Sequence, residues 1–273
     1  MPTANPCTPI QILPWEYADN GGVMVKDESF QPCGTHKDRR SRLIVEEAVR
    51  DKIDTLVIIT AGNAGYSLAR HAEKTRLRIV AVMNESRPTF IKDALRGVGA
   101  EIIELDLQKK FLTSQEIIRL AHKQSGERVR DVTNEYSHAY GSIVDELTAY
   151  IPEPPAIVVP VGSGELFTGV HEALLRKHWR SKLIGVTTKS LTSKADKLTT
   201  IRTPLRERVK QIAASDQNRM LLELSEQSIE WSIAHAPRSL RAEASAKAVF
   251  GAWLHIPEQL NGAVVVSTGS GIQ

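Results

Sequence analysis

Apolar positions fall along the chain in two interleaved periods. Short, nearly continuous runs at residues 55–60, 78–83 and 101–105 read as buried strands. Between them, residues 63–74 carry Leu68, Ala69 and Ala72 at helical spacing. A further helix is predicted from the first turn marked by Pro88 to the stop at Gly97 and Gly99, and another over residues 114–123. Upstream, residues 8–13 and 23–26 read as short strands separated by Asn20, Gly21 and Gly22, and a charged helix follows over residues 38–52. A second alternating block begins after a helix ending near Tyr150, where Pro152, Pro154 and Pro155 break the chain. It predicts a strand at 156–160, a helix at 168–178, a strand at 182–187, a helix at 243–254 and a closing strand at 263–267. Residues 194–213 are polar, are interrupted by Pro204, and carry no assignment.

Strict alternation of strand and helix argues for parallel sheets covered by helices on both faces, with ligands at the carboxyl ends of the strands. The expected class is α/β: two three-layer αβα lobes with mostly parallel twisted sheets and the site in the cleft between them. The smaller lobe is expected over residues 34–146, and the larger over 1–33 and 147–273.

Composition narrows the function. At 273 residues and 41% hydrophobic content the chain can bury a sizeable core. The 35 basic and 32 acidic residues are dispersed, with no basic block interleaved with aromatics, so no nucleic-acid partner is expected. Apolar runs stay far below the roughly 18 residues of a membrane span, and the amino terminus lacks the pattern of a secretory signal. A cytoplasmic protein without a membrane partner is the expectation. Cys7 and Cys33 suggest neither a disulfide framework nor a metal pattern, and the eight histidines are scattered, so no metal is expected.

Candidate chemistry sits in the loops. Lys37 stands where the turn containing Pro32 and Gly34 becomes a helix, and the positive end of the helix dipole disfavours its ammonium form, exposing the amine that imine chemistry needs. A solvated lysine beside Asp38 is the plainer reading of that stretch. Thr60-Ala61-Gly62-Asn63-Ala64-Gly65 joins a strand to a helix whose first amides could hold a carboxylate or phosphate, or is an ordinary turn capped by Asn63. Gly162-Ser163-Gly164-Glu165-Leu166 opens a helix after a strand and could cradle a phosphate. It has neither the Gly-Lys-Ser/Thr ending of a nucleotide-triphosphate loop nor GxGxxG spacing, which disfavours a nucleotide-binding protein, and Glu165 beside a dianion is repulsive unless it points away. Glu243-Ala244-Ser245-Ala246 begins a helix, and Ser267-Thr268-Gly269-Ser270-Gly271 ends the last strand.

In this order the segments resemble the pyridoxal phosphate enzymes of fold type II, the tryptophan synthase β-like family, and within it threonine synthase. Lys26-Asp27-Glu28 followed by Gly34-Thr35-His36-Lys37-Asp38-Arg39 is similar to the cofactor-lysine segment, and Ala61 to Gly65 to the asparagine loop. Lys92 through Gly99-Ala100-Glu101, Gly162 to Leu166 and Thr268 to Gly271 are similar to further family elements. The resemblance implies pyridoxal 5'-phosphate as cofactor, with Lys37 as its Schiff-base lysine and the catalytic residue. Asn63 would bind the ring oxygen, Gly162, Ser163, Gly164, Glu165 and Leu166 the phosphate, and Thr268 the pyridine nitrogen, with Ser270 in reserve. Thr60, Ala61, Gly62 and Ala64 would bind the substrate carboxylate. It implies β/γ-elimination or replacement on a small hydroxy- or phospho-amino acid, in the manner of threonine synthase, of a serine or threonine dehydratase, or of a cysteine synthase. A homodimer is compatible with it. Two departures matter: Ala61 lacks the hydroxyl many relatives carry there, and Glu165 replaces a small residue. Ala61 and the chain's short carboxyl end keep open a noncatalytic regulator that binds cofactor or amino acid.

Overall fold

The computed structural model describes residues 7–107, 109, 111–190, 192–199 and 204–272. The chain divides into two compact units, residues 1–31 with 137–270, and residues 32–136 with 271–273.

In the larger unit a six-stranded sheet runs in the order β1 (Ile10–Pro14), β2 (Gly22–Asp27), β10 (Val264–Ser267), β7 (Ala156–Pro160), β8 (Lys182–Thr188), β9 (Arg219–Leu224). Only the β1–β2 hairpin is antiparallel. Successive strand side chains point to opposite faces, and the sheet uses both. Val158, Ile184, Val186 and Val265 enter one core with Ile229, Val249, Phe250 and Trp253. Ile157, Val159, Leu183, Val264 and Val266 enter another with residues of α5 (Gly141–Leu147), α6 (Glu165–Arg176) and α7 (Pro204–Ser215). Because Ile143, Val144 and Leu147 belong to that second core, residues 137–146 go with the larger unit, whereas the sequence pattern placed them at the end of the smaller one. Packing here is close: a Cβ at Gly169 would lie 1.9 Å from the Ser137 carbonyl oxygen.

The smaller unit is built on a wholly parallel four-stranded sheet, β5 (Glu101–Leu105), β4 (Arg78–Asn84), β3 (Thr55–Ile59), β6 (Val129–Asp131). Leu56, Ile58, Ile79, Ala81 and Met83 face α1 (Lys37–Arg50), α2 (Asn63–Ala72) and α3 (Thr89–Gly97). Val57, Val80 and Val82 face α4 (Ser114–Ala121). The α/β class expected from the alternating pattern is therefore the observed one, three layers in each unit. Three elements of the larger unit escape the pattern. α7 falls largely inside the unassigned polar stretch. β9 and α8 (Glu226–His235) follow the unassigned polar stretch, and β9, at the sheet edge, is only half buried. The helix expected at 243–254 is a short α9 (Ala244–Lys247) that tightens into a 3-10 segment, Ala248–Leu254.

Candidate active site

In the smaller unit, α1 begins at Lys37 itself, preceded by His36 in helical conformation without a side-chain cap. Lys37 N donates to Thr35 Oγ1 at 3.3 Å, and its side chain is partly exposed. The next residue, Asp38, is buried and anchors the helix start. Its Oδ1 accepts from Ser67 Oγ at 2.6 Å and lies 3.0 Å from His71 Nε2, and its Oδ2 accepts from Cys33 N at 2.8 Å. Burial pushes the Asp38 pKa up, but the hydrogen bonds from His71, Ser67 and Cys33 outweigh it and hold the carboxyl below its ordinary value. The start of α1 is thereby fixed against α2, which itself begins at Asn63. Two other lysines are buried and ion-paired. Lys26, fully buried in the larger unit, pairs with Glu146 Oε2 at 2.6 Å and bonds the Thr8 carbonyl. Lys92 pairs with Glu104 Oε2 at 2.5 Å and donates to the Glu85 carbonyl.

The loop after β3 is held from within. Thr60 Oγ1 accepts from the amides of Gly62 at 3.0 Å and Gly65 at 3.1 Å. Gly62 adopts φ +143°, a conformation that side chains rarely take, and a Cβ there would sit 2.9 Å from Ile91 Cγ2. At Gly65 it would sit 2.7 Å from the Thr60 methyl carbon. Of the residues expected to meet a substrate carboxylate, Thr60 and Gly62 are thus joined to each other by their polar groups. Ala61 and the first-turn amide of Ala64, which has no carbonyl within the helix to bond, lie in the same loop-to-helix turn.

In the larger unit, the 162–166 loop and residues 268–270 follow the carboxyl ends of β7 and β10, which pair in parallel. The first turns directly into α6. Gly164, at φ +100°, is its N-cap, so the helix starts at Glu165 rather than at residue 168 as the pattern suggested. Glu165 and Leu166 are both buried in its first turn. Thr268 is buried beside the equally buried Ser267. A short segment links the two loops. The Lys197 carbonyl oxygen lies where a Gly162 Cβ would approach it to 2.4 Å, and Lys197 N donates to Ser245 Oγ at 3.1 Å. Glu243 N in turn donates to the Gly269 carbonyl at 3.0 Å. The Glu243 carboxylate is paired with Lys197 Nζ at 2.5 Å.

Two features of the larger unit suit a phosphorylated cofactor: the first-turn amides of a twelve-residue helix, which have no carbonyl within the helix to bond, and an orphaned hydroxyl. That hydroxyl is Thr168 Oγ1, fully buried with no hydrogen-bond partner, one turn beyond Gly164 and so on the same helix face. Thr168 was not singled out from sequence, although its i+4 spacing from Gly164 was there to be read. Ser267 Oγ is likewise buried and unpartnered.

A family model described as pyridoxal-phosphate dependent enzyme matches residues 3–271. The chain belongs to the pyridoxal-phosphate dependent enzyme family. Among its relatives, rat cystathionine beta-synthase is 28% identical over 176 residues, 60% of this chain and 31% of that protein. Human serine dehydratase-like is 32% identical over 165 residues, 58% of this chain and 48% of that protein. The chain thus matches less than half the length of these two relatives. Among solved structures, maize serine racemase superposes with a TM-score of 0.78 at 16% identity, covering 99% of this chain and 90% of that one, which establishes a shared fold. Pyridoxal 5'-phosphate is the family's cofactor. No described helix is long and apolar enough to cross a membrane.

Proposed function

We propose that this member of the family catalyses β- or γ-elimination or replacement on a small amino acid bearing a hydroxyl or phosphorylated or acylated hydroxyl. Bound pyridoxal phosphate supplies an electron sink conjugated to the substrate's α-carbon. Lys37 would hold the cofactor through its Nζ and, when that amine is free, would take the α-proton on the same atom. The first-turn amides of α6, with Gly162, Ser163, Gly164, Glu165, Leu166 and the Thr168 hydroxyl, receive the phosphate. Asn63 orients the ring, and Ala61 and Ala64 offer amides to the substrate carboxylate, with Thr60 and Gly62 shaping their loop.

One observation carries the choice of reaction. The end of β10 and the loop after it carry hydroxyls at Ser267, Thr268 and Ser270, and the nearby carboxylate of Glu243 is paired with Lys197. A carboxylate facing the pyridine nitrogen would keep it protonated and prolong the carbanion, whereas a neutral hydroxyl at Thr268 favours prompt loss of a leaving group. The names of relatives, serine dehydratase-like and cystathionine beta-synthase, agree with such chemistry. Within it, the Thr268-Gly269-Ser270-Gly271 loop supports a threonine synthase-like member acting on a γ-phospho substrate.

A panel of serine, threonine, O-acetylserine with sulfide, and O-phosphohomoserine tests this. Release of pyruvate or 2-oxobutyrate, or formation of cysteine, is expected from at least one of the first three, and threonine from O-phosphohomoserine marks the narrower reading. Racemisation alone overturns the proposal. A second reading, a noncatalytic binder, rests on Ala61: the one hydroxyl adjacent to it in the loop, that of Thr60, accepts two loop amides. Cofactor binding with no turnover of any substrate would establish that reading.

A further inference from the structure

Cys33, Asp38 and His71 bring one sulfur, one oxygen and one nitrogen together at the start of α1, with all three ligand atoms within 4.8 Å of one another. They arise from three separate pieces of chain: the turn before α1, the first turn of α1 and the last turn of α2. None of them enters the chemistry proposed above. We infer that this cluster is a binding site for a thiophilic divalent cation, with zinc as the best-matched ion.

The ligand set mixes thiolate, carboxylate and imidazole, the donors zinc takes in tetrahedral sites. Around one zinc ion such atoms stand about 3.3–3.6 Å apart. The 3.0 Å between His71 Nε2 and Asp38 Oδ1 therefore opens slightly, and the widest separation in the cluster closes by about 1 Å. The outer contacts that orient a ligand are already built. Ser67 Oγ donates to Asp38 Oδ1, and the Cys33 amide holds Oδ2. Asp38 is buried, while Cys33 and His71 are partly exposed, which gives the ion a route in and leaves a fourth position for water. On binding, the Cys33 S–H bond breaks, its proton passes to water, and the sulfur lone pair coordinates zinc. The His71 proton moves to Nδ1, freeing Nε2 as the second donor. With thiolate and carboxylate both anionic, the bound ion is neutralised within the cluster. The nearest cation on α2, Arg70, is paired with Glu73.

Competition of zinc between the cofactor-loaded full chain and a chromophoric chelator tests the site. One zinc per chain is expected, with Cys33→Ser and His71→Ala each weakening binding at least tenfold and Cys7→Ser leaving it unchanged. Circular dichroism confirms that the variants fold. A measurement on the unaltered chain stands beside it: zinc should protect Cys33, and not the exposed Cys7, from alkylation by iodoacetamide, read by peptide mass. Absence of stoichiometric binding, binding that survives both substitutions, or unprotected Cys33 each overturns the inference.

Discussion

Gly164 combines two demands that no other residue type meets: φ is +100°, and a Cβ would lie 2.9 Å from the Leu205 carbonyl oxygen. Gly164→Ala should therefore cost about 1–3 kcal/mol of local strain and weaken pyridoxal phosphate binding by about tenfold, measured by fluorescence titration of the apoprotein. Glu165→Gln should leave that affinity unchanged or improved, and its loss would assign the carboxylate a role in the site. At Thr268 the expectation concerns rate rather than binding. Thr268→Ser should be nearly neutral, and Thr268→Asp should keep the cofactor but slow product release from the best substrate of the panel by about tenfold in steady-state assays. Unchanged turnover in Thr268→Asp would mean that Ser270, or neither residue, faces the ring.

At the scale of elements, Glu127 ties three pieces of the smaller unit together. It accepts from Arg78 Nη2 of β4 at 2.6 Å, Thr55 Oγ1 of β3 at 2.5 Å and the Lys123 amide after α4 at 2.7 Å. Arg78, the Lys123 amide and Thr55 together hold its carboxyl at about 2, against an ordinary 4.5. The folded value lies below the unfolded one, so the stabilisation is complete above about pH 4.5 and is lost as pH falls toward 2. Urea unfolding as a function of pH should show this slope, and Glu127→Gln should flatten it while lowering stability at pH 7 by about 1–2 kcal/mol. An unaltered slope in the variant would shift the acid sensitivity to other carboxylates. The elements themselves were legible in sequence wherever burial is two-sided, because runs such as those of β3, β4 and β7 have few alternatives. They were not legible where an edge strand is half exposed, as in β9, or where a 3-10 segment replaces the helix expected beyond Lys247. Loop chemistry was legible in its glycines, but not in the Thr60 hydroxyl that closes its own loop or in the Asp38–His71 contact across 33 residues, since tertiary partners leave no local period.

For the whole molecule, the two units divide the candidate machinery: Lys37 and the 60–64 loop in one, the 162–166 loop and Thr268 in the other. Family membership explains why such distant stretches matter together, and the two buried lysines Lys26 and Lys92 are held in ion pairs with Glu146 and Glu104. The most direct test of the account is therefore chemical. The purified chain is loaded with pyridoxal phosphate, reduced with borohydride, digested and mapped by mass spectrometry. The account predicts a single phosphopyridoxyl group on Lys37, and a label on Lys26, on Lys92 or on no lysine would contradict it.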